Sequence, residues 1–118
     1  MFTDQGDLDA ALKCYQESLS IRQNLFQQNS QSTESQRDVS TALSKIAGNR
    51  HARGNFANEL TNYEQSLAIR RGVVKTKPEN QDFRHDLSTA LRDVGKAAHN
   101  MGDEAKALQN LLAGSDYR

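Results

Sequence analysis

The chain has 118 residues, fifteen Lys and Arg against fifteen Asp and Glu, and 36% hydrophobic residues. That length suits one domain, and zero net charge argues against a dedicated nucleic-acid binder, which would be basic. One proline (Pro78), thirteen Val, Ile and Thr residues and no apolar run longer than three disfavour both a sheet and a membrane-crossing helix.

Taken in chain order, apolar spacings of three, four and seven predict five helices, over roughly 7–28, 34–53, 55–76, 82–101 and 103–113. The first carries Leu8, Leu12, Tyr15, Leu19 and Phe26 on one face, and the second carries Val39, Ala42, Leu43, Ile46 and Ala47. The third repeats the first pattern with Phe56, Leu60, Tyr63, Leu67 and Val74. The fourth repeats the second with Leu87, Ala90, Leu91, Val94 and Ala98, and the fifth carries Leu108, Leu111 and Leu112. Gly54 and Gly102 sit where a left-handed residue closes a helix, with Asn55 and Asp103 following as N-caps. Gly6 and Asp7 fall in the same two columns. Pro78 lies just beyond a helix end, and Asn80 or Asp82 can start the next.

These elements recur with a fixed offset. Residues 6–53 and 54–101 share 13 identities in 48 aligned positions without a gap. Leu12, Tyr15, Ser18, Leu19, Ile21 and Arg22 return as Leu60, Tyr63, Ser66, Leu67, Ile69 and Arg70. Asp38, Ser40, Thr41, Ala42, Leu43 and His51 return as Asp86, Ser88, Thr89, Ala90, Leu91 and His99, and a third copy begins at Gly102. One two-helix unit cannot bury its own stripe, whereas stacked copies can, so the pattern predicts an α-solenoid.

The repeated positions resemble the tetratricopeptide repeat over nearly the whole chain. Ala47 and Gly95 fit its small first-helix position, and Gly6, Gly54 and Gly102 fit its turn glycine. Ala11 and Ala107 fit its small second-helix position, from which Glu59 departs. Tyr15 and Tyr63 fit its aromatic, with Leu111 a conservative departure, and Ser18 and Ser66 fit its last small site. The period departs from the usual ~34 residues by about fourteen, close to four helical turns. The stretch YEQSLAIRR is similar to long-period repeats of large bacterial multidomain proteins. The resemblance implies an all-α, right-handed superhelix of about two and a half helical hairpins in a single domain, with units 6–53 and 54–101 and a partial 102–118. The register opens mid-unit, so the chain is expected to be a piece of a longer array. The alternative is a small protein that covers its end helices by self-association, as a homo-dimer.

The family holds a peptide or partner helix on the concave face, lined by the first-type helices (34–53 and 82–101). Carried over, the groove candidates are Thr41, Ser44, Lys45, Gly48, His51 and Ala52, then Thr89, Arg92, Asp93, Lys96, His99 and Asn100. Their mostly basic character favours an acidic or carboxylate-bearing peptide. The family's Lys/Asn/Arg carboxylate clamp needs three first-type helices, and this chain has two. His51 and His99 are expected one helix-pair spacing apart, too far to share a metal unaided.

Signatures of catalysis were sought as well. The segment RHDLSTALRD (84–93) resembles the phospho-acceptor box of sensor histidine kinases, which makes a His85 phosphotransfer hairpin a competing reading. The retained Asp, Ser, Thr, Ala and Leu around it follow from the repeat, however, and the copy has Arg37 in that column. There is no HExxH, no paired-cysteine metal spacing, no GxSxG and no Gly-Lys phosphate loop. The carboxylates Asp38, Asp86, Glu17 and Glu64 read as caps and surface partners of Arg22 or Arg70. The expectation is a non-catalytic scaffold without cofactor, metal or nucleic-acid ligand. Lone Cys14 and the lack of an apolar leader predict a cytoplasmic setting.

Overall fold

The computed structural model describes residues 4–29 and 32–115. Five helices follow one another: α1 (Asp4–Gln28), α2 (Thr33–Ala52), α3 (Phe56–Thr76), α4 (Gln81–Asn100) and α5 (Glu104–Ser115). Each packs on the helix before it and the helix after it, and among the described residues no other pair brings its backbones together. The chain is therefore all-α and built by sequential stacking, in keeping with a tetratricopeptide-like helical repeat. Its extents are 47 × 38 × 20 Å and its radius of gyration 14.8 Å, against roughly 13.5 Å for a compact chain of this length.

The two turns from first-type to second-type helix are built alike. Gly54 and Gly102 take φ of 74° and 80°, a region where a Cβ would be strained. Gly54 N donates to His51 O and Asn55 N to Arg50 O, both at 2.9 Å. Gly102 N to His99 O and Asp103 N to Ala98 O repeat those bonds at the same length. This paired arrangement satisfies carbonyls that the helix leaves open. Asn55 and Asp103 then accept from Asn58 N and Lys106 N. Of the two candidate starts for α4, Asn80 caps it, accepting from Phe83 N at 3.0 Å.

Gly6 departs from its column. It lies inside α1, which is already helical at Asp4, so it closes no turn and Asp7 is not a cap. A turn glycine is required only where a preceding helix must be left, and no such helix precedes α1 among the described residues.

The central seam joins Leu67 and Val74 of α3 to Leu87, Ala90, Leu91 and Val94 of α4, flanked by Leu60, Tyr63, Phe83 and Ala113. Fully burying each large aliphatic contributes about 1.5–3 kcal/mol. All five apolar positions named for α2 and all five for α4 are buried. The α1 set is only half-buried, since among the described residues α1 packs on α2 alone. At the opposite end, Leu108, Leu111 and Leu112 of α5 remain 60%, 42% and 60% exposed.

Gly95 sets the closeness of α4 to α5. A Cβ there would lie 2.8 Å from Leu111 Cγ and 3.2 Å from the Ala107 carbonyl oxygen. Gly95→Ala gains about 1 kcal/mol of helix propensity against about 1–3 kcal/mol of overpacking, so a net loss is expected. Urea unfolding should show it in the wild-type background and show less of it beside Leu111→Ala.

Candidate functional site

Three helices carry the predicted groove. α3 lies against both α2 and α4, whose backbones stay apart, and side chains tie the two first-type helices together at one end. Arg37 Nε donates to Asp86 Oδ2 at 2.5 Å and its Nη2 to Oδ1 at 3.3 Å, a two-pronged pair with directional strength. The same guanidinium lies 5.7 Å from the Phe83 ring centroid. The Asp86 bond holds the Arg37 pKa above its ordinary value.

Beneath this pair, buried Arg70 reaches from α3 to both neighbours. Its Nε donates to Ser40 Oγ on α2 and its Nη1 to the Asp86 carbonyl on α4, each at 3.1 Å. Burial lowers its pKa, opposed by Asp86 and Asp93. Ser66 Oγ completes the strip by donating to Ser40 O at 2.9 Å and lying 2.9 Å from Ser44 Oγ. One offset earlier, Arg22 Nη1 donates to the Asp38 carbonyl at 3.0 Å. Repeated Arg and repeated Asp thus do meet, but through the aspartate's main chain. The carboxylates read from the sequence as surface partners of Arg22 or Arg70 are thus met, at Asp38 and Asp86, by way of the carbonyl oxygen. The Asp86 carboxylate serves Arg37 of α2.

The other end of the groove is acidic beneath and basic at its edge. Glu59 is 4% exposed. Its Oε2 lies 3.0 Å from His51 Nδ1, while its Oε1 accepts no hydrogen bond. His51 also stacks, tilted, on Phe56 with ring centroids 5.7 Å apart. Half-buried Tyr63 has its pKa pushed up to about 12, first by burial and then by Asp93 and Glu59. Half-buried Asp93 is likewise pushed up by burial, against the pull of Arg70, Arg92 and Lys96. Tyr63 therefore stays a neutral phenol at ordinary pH, and charge on Asp93 is disfavoured.

The groove candidates separate into two sets. Thr41 and Ser44 are half-buried and engaged within the stack, Thr41 Oγ1 donating to Arg37 O at 3.0 Å and Ser44 meeting Ser66. Thr89, Arg92 and Asp93 are half-buried, while Lys45, Gly48, Ala52, Lys96 and Asn100 are exposed. Four candidates, His51, Lys96, His99 and Asn100, line one cavity of about 530 Å³ together with Gly95, Glu104, Ala107, Leu108 and Leu111. His51 and His99 each face a carboxylate across their own turn, the latter meeting Glu104 Oε1 at 2.8 Å. Among the described residues no group of three or more His, Cys, Asp or Glu could hold a metal ion. His85 and Cys14 are exposed on α4 and α1.

Sequence reasoning passed over Glu59, Tyr63 and Gly95 as site residues. Glu59 had left a signal, since an acid replaces Ala11 and Ala107 in a column that the fold buries. Among the described residues no helix is long and apolar enough to cross a membrane.

A family model described as Tetratricopeptide repeat matches residues 1–32, which supports membership of that family. No curated protein matches the chain, and no solved structure does. Tetratricopeptide repeats are generally protein–protein interaction modules.

An acid whose folded pKa is raised holds its proton more tightly folded than unfolded, so its ionisation destabilises the fold as pH climbs above the ordinary 3.8. Asp93→Asn should therefore raise the melting temperature at pH 7. Thermal scans from pH 7 downward should show that gain vanish in acid, where Asp93 is protonated in both states.

Proposed function

We propose that this chain is a non-catalytic scaffold that holds a peptide or partner helix against the face carried by α2 and α4. The observation that carries this reading is the sequential stack itself. It leaves α2 and α4 apart with α3 behind them, and residues 1–32 match a family of interaction modules. The contact residues are Thr41, Ser44, Lys45, His51, Thr89, Arg92, Asp93, Lys96, His99 and Asn100, in 48-residue units 6–53 and 54–101. Thr41 and Ser44 contribute by shaping the wall, because their hydroxyls are already engaged. Exposed Lys45 and Lys96, with half-buried Arg92, select acidic side chains or a terminal carboxylate. The stack is preformed, so binding requires little ordering of the protein.

An acidic peptide titrated by calorimetry should bind the native chain and lose at least tenfold in affinity to a Lys45→Glu/Arg92→Glu variant. Equal affinity for both would remove the groove assignment.

Exposed Ile21 and Leu25 at one end and Leu108, Leu111 and Leu112 at the other favour a second reading, self-association as a structural dimer. Light scattering at two concentrations decides between them. A stable dimer that binds no acidic peptide supports the second reading, and a monomer supports the first.

A further inference from the structure

We propose that the cleft between α3 and α5 holds the C-terminal residue of a partner chain, an apolar side chain together with its free carboxylate. The cleft has a volume of about 330 Å³ and shares no residue with the groove proposed above. Three consecutive helices build it. The α3 wall runs from Glu64 through Leu67 to Arg71, the α5 wall runs from Lys106 to Ala113, and Val94 of α4 lies between them. Both walls span seven residues, two turns of one helical face. Leu67 and Val94 are buried and belong to the central seam, so the floor of the cleft is apolar and held in place by the stack.

The charges around that floor do not balance. Where both walls start, Lys106 Nζ donates to Glu64 Oε1 at 3.5 Å, and these two charges answer each other. Arg71 stands seven residues further along α3, about 10.5 Å by helical rise, and is exposed. Among the described residues no carboxylate pairs with it. One uncompensated guanidinium thus stands beside an apolar floor. The cleft one offset earlier supplies the contrast. Gln23 and Gln65 hold the columns of Arg71 and Ala113 there, and among the described residues nothing charged lines that cleft. The occupant of the later cleft therefore needs an anion and an apolar body within the space of one large residue. A guanidinium holds a carboxylate by two parallel hydrogen bonds. An Asp or Glu side chain brings the carboxylate without the apolar body, whereas a C-terminal Leu or Phe carries both on one Cα.

The test uses three peptides with the same N-terminal fluorophore: one ending in Gly-Ser-Gly-Phe with a free carboxylate, its C-terminal amide, and the free acid with Ser in place of Phe. Fluorescence anisotropy against the full chain should show the Phe acid binding at least tenfold more tightly than either of the others. Arg71→Gln, which installs the residue of the earlier column, should remove the preference for acid over amide while the melting temperature stays unchanged. Lys45→Glu/Arg92→Glu should leave that preference intact, which separates this cleft from the charged groove. Equal binding of acid and amide, a preference that survives Arg71→Gln, or no binding at millimolar peptide overturns the proposal. So does N-acetylphenylalanine competing as strongly as the Phe peptide, which would give the cleft to a small free carboxylate.

Discussion

Among the described residues each helix brings its backbone close only to the one before it and the one after it, and this single constraint governs the rest of the structure. No central core exists to absorb a misfit, so burial must occur in narrow seams between consecutive helices. Narrow seams need small residues where backbones approach. Ala47, Ala97 and Ala98 are fully buried, Gly95 leaves no room for a Cβ, and Ser66 and Gly114 occupy one column at successive seams. A hypothetical Cβ on Gly114 would sit 3.4 Å from Leu91 Cβ. In that column Ser66 instead bonds the Ser40 carbonyl.

Backbones held apart also need a bridge. The backbones of α2 and α4 stay apart, and long cationic side chains add to what α3 does in placing them. Arg70 spans from α3 to Ser40 on one side and to the Asp86 carbonyl on the other. Arg37 crosses the gap to the Asp86 carboxylate. A guanidinium suits both tasks because it donates along several fixed directions at once and keeps its charge even when burial lowers its pKa. Lysine carries its three donors on one nitrogen and lacks the spaced fork with which Arg70 reaches Ser40 and the Asp86 carbonyl.

Much of this was legible in the sequence. The helices, their buried stripes, the two turn glycines and the caps at Asn55 and Asp103 followed from local spacing, because local chemistry alone determines them. The roles of Arg22, Arg70, Asp38 and Asp86 did not. Their recurrence was visible, but a sequence does not distinguish an aspartate's carboxylate from its carbonyl as the acceptor. Gly6 misled for a related reason, since a column match carries over a residue type and not its backbone conformation, and Gly6 lies within the continuous helix α1. Glu59 escaped notice as a site residue because its burial and its His51 partner on α2 depend on tertiary packing, which no spacing rule reports.

The columns that agree between copies and the columns that differ do different work. Agreement falls on Arg22/Arg70, Ser40/Ser88, Ala42/Ala90, Leu43/Leu91 and His51/His99, and the structure finds these in seams, bridges and turns. Such positions must agree, because every seam poses the same geometric problem. Difference falls on Ser44/Arg92, Lys45/Asp93 and Gly48/Lys96 along α2 and α4, and on the buried pair Glu59/Ala107, and these change charge from one step to the next. A stack of copies cannot acquire specificity from what its copies share, since shared residues present the same face at each step. The faces of successive steps therefore part at the differing columns, where Lys45 gives way to half-buried Asp93 and Gly48 to exposed Lys96.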